Sequence, residues 1–326
     1  MRELEKHGWR VGLGLPRYHP DHNFGIVLAD DKAVHGWDIV FMKLIMRKEI
    51  ADVIQYVKGK QKLVVDIDDY FEGLEFSNRA FATTDPKNDS INNREHYFRI
   101  IEQADAVITS TPFLYDFYRA KRKNVFLVRN GIDIQRWTAR KDNALWRPTI
   151  GWVGATPWRS NDLETLAPFM NDFLRKHNLK FHHAGHTADA EFAENQLKIN
   201  NNRAETSPMK PISAYPTMFG KIDIGLVPLN DVPFNHAKSY IKGLEYASAG
   251  VPFIASALPE YQNLADDFVG RVACTKNEWI NHLEALLDPQ LRKDEAIVNR
   301  EIVEEKFSMK QRGIEWNIVM DKIYNL

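Results

Sequence analysis

The chain has 326 residues, with 43 basic against 44 acidic side chains and a net charge of -1. At about 100–200 residues per domain, that length gives two domains with a core each, and 44% hydrophobic with 27% charged residues argues against disorder or a fibrous class. The balanced charge argues against a protein that holds nucleic acid mainly by neutralising phosphates, and the single Cys274 cannot build an intrachain disulfide or a zinc knuckle.

Met1–Lys6 is charged from the start, so no signal peptide is expected there. The longest apolar stretch, Ile39–Met46 with Lys43 inside it, is far below the ~20 residues that cross a bilayer. A cytoplasmic protein without a membrane segment is expected. Short apolar runs alternate with amphipathic stretches along the whole chain, the signature of α/β layering with parallel strands. The predicted strands are Arg10–Leu15, Ile39–Leu44, Leu63–Ile67, Ala106–Thr109 and Val125–Val128, then Thr149–Val153, Lys180–His183, Ile222–Val227, Pro252–Ala255 and Phe268–Val272. Helical period marks Arg47–Val57, Ile91–Gln103, Asp162–Lys176, Ser239–Ser248 and Glu278–Leu287. There is no internal repeat, and Cys274 reads as a small buried apolar residue.

A polar seam, Asp133–Pro148, follows the turn dipeptide Asn130-Gly131. The predicted division is a first domain over 1–136, a linker over 137–148, a second domain over 149–306 and a terminal helix over 307–326. Two α/β halves on one linker leave a cleft between the carboxyl ends of their strands, where open sheets take ligands. In the terminal segment Ile314, Ile318, Met320 and Ile323 stand near helical spacing, which predicts one buried face.

Three stretches can carry chemistry. Val65-Asp66-Ile67-Asp68-Asp69 is an apolar strand ending in three carboxylates. Alternation along the strand puts Asp66 and Asp68 on one side and Asp69 on the other. A divalent-cation site, a carboxylate that orients a substrate hydroxyl, and plain helix capping all fit this pattern. Gly151-Trp152-Val153-Gly154-Ala155-Thr156-Pro157-Trp158-Arg159 runs from a strand into a small-residue loop and a helix. Gly154 allows close backbone approach, and Arg159 could grip a phosphate; a tight turn capped by Ser160 or Asn161 explains it equally well. Asp223–Pro228, the loop Phe234-Asn235-His236-Ala237-Lys238-Ser239 and Leu244–Ser256 read as strand, loop, helix, glycine turn and strand. Amides near Asn235–Lys238 together with the Lys238 charge would suit a diphosphate. Glu245 falls on an otherwise small and apolar stretch, where a carboxylate needs partners; ribose hydroxyls would serve, and a surface glutamate is the plain alternative. In Phe181-His182-His183-Ala184-Gly185-His186, strand alternation separates His182 from His183, which disfavours a metal site; a place for His183 or His186 near a nucleotide base at the strand end fits the pattern better than a metal does. Gly12-Leu13-Gly14 lacks the third glycine of a dinucleotide fingerprint.

Asn130-Gly131-Ile132-Asp133, Gly151–Gly154, Leu244-Glu245-Tyr246-Ala247, Ala249-Gly250-Val251-Pro252 and Ala255-Ser256 occur in an order that resembles the large retaining glycosyltransferase family of the GT-B fold. The Asp-Ile-Asp-Asp variant and Pro-Phe-Asn-His-Ala-Lys-Ser look like a subgroup found in polysaccharide gene clusters and bacteriophage genomes. The resemblance implies two Rossmann-like doubly wound parallel-sheet domains facing a cleft, with the terminal helix crossing back onto the first. It places the ribose on Glu245 and the diphosphate near Lys238 and Arg159, with Gly154, Thr156, His236 and Ser239 around it. The position near the transferred sugar falls on Asp68, followed by Asp69, and these two carry the catalytic expectation.

Three departures accompany it: Ala237 stands where the family has an earlier glutamate, Ala155 where it has an arginine, and Met1–Lys6 resembles the end of the first helix, so the opening strand and its glycine-rich loop are not expected in this chain. The resulting expectation is transfer of a sugar from a nucleoside-diphosphate donor to a glycan, protein or modified nucleic acid, with retention and with neither metal nor cofactor. The rivals are a metal-dependent transferase using Asp66 and Asp68, and a catalytically inactive nucleotide-sugar-binding or scaffold protein.

Overall fold

The computed structural model describes residues 2–19, 23–27, 33–43, 46–57, 60–76, 78, 80–84, 93–139, 147–158, 161–188 and 190–326. It divides into two compact units, one of Met1–Glu72, Phe81–Arg129 and Lys310–Leu326, the other of Gly73–Ala80 and Asn130–Met309.

In the first unit β1 (Leu15–His19), β2 (Asn23–Val27) and β3 (Ala33–Val34) form an antiparallel meander. The sequence predicts instead a strand at Arg10–Leu15, but residues 9–14 have no regular structure and pairing begins at Leu15. A parallel sheet follows, in the order β4 (Ile39–Lys43), β5 (Lys62–Ile67), β6 (Ala106–Thr109), β7 (Val125–Leu127). Leu63, Val64, Ala106, Val107 and Ile108 are fully buried, as befits strands covered on both faces. Local chemistry sets the helices: Thr111 caps Pro112–Arg119 by accepting from Leu114 N, and Pro112 opens it where its missing N–H has no cost. The helix Met309–Tyr324 places Val319 and Ile323 in a cluster with Val64, Ile108 and Val128. Its buried face differs from the predicted one, for Met320 and Ile323 are buried whereas Ile314 and Ile318 are 47% and 50% exposed.

The second unit holds β8 (Thr149–Val153), β9 (Lys180–His186), β10 (Ala204–Pro208), β11 (Ile224–Val227), β12 (Phe253–Ser256) and β13 (Arg271–Ala273). All pair in parallel, in the order β10-β9-β8-β11-β12-β13. Within the unit this is the doubly wound order 3-2-1-4-5-6, whose direction reverses between β8 and β11. Strand alternation sorts the core into two layers: Ile224, Leu226 and Ile254 join one cluster, and Val227, Phe253 and Ala255 the other.

Ile132, Ile134 and Trp137 are buried in the second of these clusters, and Ile132 exchanges backbone hydrogen bonds with Phe307 and Met309. The boundary expected after residue 136 therefore falls after Arg129; residues 140–146 of the expected linker lie outside the described residues. The single helix predicted over Asp162–Lys176 is a 3₁₀ turn, Asp162–Leu166, followed by the helix Met170–His177. Cys274 is exposed, because it sits between the end of β13 and the capping box of Thr275 and Glu278.

Candidate functional site

The strand-order reversal in the second unit is where an open α/β sheet presents a ligand crevice, at the carboxyl ends of β8 and β11. These strands pair through Ile150 with Ile224 and Gly151 with Gly225. Further along, Tyr246 from the helix Ile241–Ser248 takes over. Its buried hydroxyl accepts from Val153 N at 3.1 Å and faces, as donor, the carbonyl oxygens of Gly151 and Leu226, each at 3.3 Å. Burial holds this phenol well above its ordinary pKa, so it remains a neutral donor. Only glycine fits opposite the ring, because a Cβ at position 225 would stand 2.5 Å from it. The tyrosine thus closes the backbone accounting where the two strands part.

The loop after β8 is held by backbone contacts. Gly154 N donates to Ala184 O at 2.9 Å, and His183 Nε2 donates to Gly154 O at 2.9 Å. That bond fixes the tautomer of His183, whose pKa burial lowers. Gly185 has φ +122° and would bring a Cβ within 2.6 Å of Gly154 O, so the approach requires glycine. Thr156 is buried and its hydroxyl donates to Glu191 O at 2.7 Å. Arg159 and Ser160 lie outside the described residues.

After β11 the predicted open loop is a short helical turn, Pro233–His236. The amides of Asn235 and His236 donate to Val232 O, and that of Lys238 to Asn235 O, so these three are engaged inside the turn. His236 Nε2 shares a 2.5 Å hydrogen bond with Asp231. Lys238 Nζ stands 4.5 Å from the Phe234 ring centroid, a cation–π contact. Ser239 Oγ accepts from Asn130 Nδ2 at 2.8 Å, which ties the Asn-Gly turn to the start of the Glu245 helix.

Glu245 is mostly buried, and the structure supplies the partners its carboxylate needs. Oε2 accepts from Tyr215 OH at 2.9 Å and from Lys242 Nζ at 2.5 Å, while Lys242 Nζ also donates to Tyr215 OH at 2.6 Å. The side chains of Lys242 and Glu245 are 16% and 15% exposed, so water screens this pair less than an ordinary surface ion pair. Tyr215 stands in turn against Trp137, with ring centroids 6.2 Å apart. Lys242 was legible as the i,i−3 neighbour of Glu245; Tyr215, 30 residues away, carried no such signal.

In the first unit, Lys43 at the end of β4 reaches Asp68 Oδ2 at 2.9 Å and Asp66 Oδ2 at 3.6 Å, so the two carboxylates expected on one side do share a side. Burial lowers the affinity of Lys43 for its proton, but the two carboxylates outweigh it and its pKa is raised. Burial also raises the pKa of Asp66, against the pull of Lys43. Asp69 is half-buried at the bend after β5.

His182 and His183 lie on opposite faces of β9, His182 Nε2 sharing a 3.1 Å hydrogen bond with Ser207 Oγ. His186 stacks on Phe192, with centroids 4.1 Å apart and planes 5° from parallel. Among the described residues no group of three or more histidine, cysteine or carboxylate side chains is arranged to hold a metal ion. A cavity of about 230 Å³ lined by Asp223, Pro252, Arg292 and Ile297 sits at the amino ends of β11 and β12, opposite the crevice end of the sheet.

No protein-family model matches the chain. A curated relative, "Putative teichuronic acid biosynthesis glycosyltransferase TuaH" of Bacillus subtilis (strain 168), is 26% identical over 185 residues, spanning 52% of this chain and 45% of the relative. The match thus takes in less than half of that protein's length. A sucrose-phosphate synthase from Thermosynechococcus elongatus superposes with a TM-score of 0.64 at 14% identity, covering 89% of this chain and 75% of the other. TarM gives 0.62 at 13%, covering 95% and 63%. HepE of Anabaena, solved with UDP-glucose, gives 0.59 at 14%, covering 89% and 79%. The fold is that of GT-B glycosyltransferase structures, α/β with two parallel-sheet Rossmann-like units.

Proposed function

We propose that the chain is a glycosyltransferase that takes its sugar from a nucleoside diphosphate, with retention and without a metal ion. The observation that carries this reading is the strand-order reversal in the second sheet, with Gly154, Lys238, Ser239 and Glu245 on the segments that follow β8 and β11. The fold it shares with HepE, which was solved with UDP-glucose, supports a nucleotide-sugar donor. In this reading Lys238 and Arg159 attract the diphosphate and stabilise the charge that grows on it as it leaves. Glu245 takes the ribose hydroxyls in exchange for Tyr215 or Lys242. Asp68 and Asp69 serve the transferred sugar, Asp68 once Lys43 yields it. Lys43 is already paired with Asp68 and near Asp66, leaving one net negative charge between the two, which favours the metal-free form of the reaction over a metal bound to those carboxylates.

Titration calorimetry with UDP, followed by mass spectrometry of products from a panel of nucleotide sugars with and without chelator, tests the reading. UDP binding is expected, weakened several-fold in Glu245→Ala, with transfer unaffected by chelator. Absence of UDP binding would overturn the donor assignment, and activity abolished by chelator would overturn the metal-free route. A second reading, an inactive nucleotide-sugar-binding protein, is favoured by Ala237, a fully buried alanine where the family resemblance places a glutamate; binding without transfer or hydrolysis of any donor would select it.

A further inference from the structure

We propose that Asp162 is a positioning residue that fixes the Lys238-bearing turn after β11 to the loop after β8. The inference rests on the nucleotide reading of the crevice only for its functional consequence. Asp162 is 2% exposed and touches both segments that flank the strand-order reversal. It ends the loop that leaves β8, and its Oδ1 accepts from Asn230 N at 2.9 Å and Asn235 Nδ2 at 2.6 Å, both on the segment that leaves β11. Asn235 Nδ2 also donates to Asn230 O at 3.0 Å, and Leu229 N donates to Ser256 Oγ at 2.9 Å, so the same segment is tied to the end of β12. Asn230, Asn235 and the Pro233–His236 turn lead directly into Lys238, Ser239 and the helix of Glu245.

Two features argue that this network serves position rather than stability alone. Asp162 Oδ2 and Asn235 Oδ1 are buried with no hydrogen-bond partner among the described residues, a poor arrangement for a network that exists only to hold the fold together. Asn161, immediately before, has φ 55° in the left-handed region, a conformation that asparagine tolerates better than most residues. A carboxylate shared between two loops pins both at once, because one buried oxygen satisfies a backbone donor and a side-chain donor of the facing segment.

Two measurements on the full chain test the inference. Asp162→Ala, which removes both hydrogen bonds accepted by Oδ1, should bind UDP about tenfold more weakly than wild type at a temperature where both are folded, part of their combined loss being felt at the ligand. Asp162→Asn keeps an acceptor at the Oδ1 position and should recover most of that loss, which a general loss of fold would not allow. Asn235→Ala, which leaves the bond from Asn230 N to Asp162, should weaken binding less than Asp162→Ala, and the double variant should fall well short of the product of the two losses. A folded Asp162→Ala that binds UDP as wild type does, or losses that multiply in the double variant, would overturn the proposal. Hydrogen exchange without ligand provides the independent arm: the amides of Asn230–Lys238 should exchange faster in Asp162→Ala and in Asn235→Ala while β9 and β10 stay unchanged. Unaltered exchange there overturns the positioning role whether or not UDP binds, whereas faster exchange in a protein that does not bind UDP sustains it and removes only the nucleotide reading.

Discussion

Tyr246 shows how one side chain decides the geometry of a strand-order reversal. Its hydroxyl stands in for the ladder partner that Val153 N would otherwise lack, and Gly225 leaves room for the ring. Tyr246→Phe keeps the ring but leaves a buried amide unpaired, so a loss of about 1–3 kcal/mol is expected in urea unfolding. A change within about 0.5 kcal/mol, the range of ordinary surface substitutions, would mean that water replaces the hydroxyl. Glu245 makes the complementary point. Sequence could locate a carboxylate on an apolar stretch, and its need for partners was a sound physical reason to look for a ligand. The ammonium of Lys242 and the phenol of Tyr215 supply them within the chain, so a ribose competes with an existing network rather than filling a void. Asp162 illustrates what sequence could not offer, since its partners Asn230 and Asn235 lie 68 and 73 residues away and meet it only through the sheet order.

The central strands were legible because they are apolar runs covered on both faces, as with Ala106–Thr109 and Thr149–Val153, which form over the predicted bounds. Edges were not. β10, Ala204-Glu-Thr-Ser-Pro208, has no apolar run and exists because β9 offers it a ladder; the meander β1–β3 was equally silent. Pairing of β9 with β10 has a titratable member in His182, buried against Ser207. Burial lowers its pKa from 6.5 to about 4. Between those values the unfolded chain binds a proton that the native imidazole refuses, so its contribution to stability is present above pH 6.5 and is lost as pH falls through about 4. His182→Gln can keep the bond to Ser207 but has no such proton. The stability difference between wild type and variant, followed by urea midpoints from pH 7 to pH 4, should therefore shift against the wild type as pH falls. A difference that stays constant with pH would show that His182 titrates alike in both states.

The two units carry different shares of the proposed chemistry. Among the described residues of the first, four parallel strands run in chain order, without the reversal that creates a crevice in an open sheet. In the second, the reversal, the glycine loop, the Lys238 turn and the Glu245 helix belong to one unit with two core layers of its own. If the donor's nucleotide is held there, mass action should stabilise that unit selectively. UDP at a hundred times its dissociation constant adds about 2.7 kcal/mol to whatever opening exposes the site. Hydrogen exchange should therefore slow across β8, β11, the Pro233–His236 turn and the helix Ile241–Ser248, by up to about a hundredfold for amides exchanging through that opening. Amides of β4–β7 should change far less, because their exchange proceeds through openings of a separate core. Protection concentrated in β4–β7, with β8 and β11 unchanged, would relocate the nucleotide to the first unit and remove Lys238 and Glu245 from the donor site.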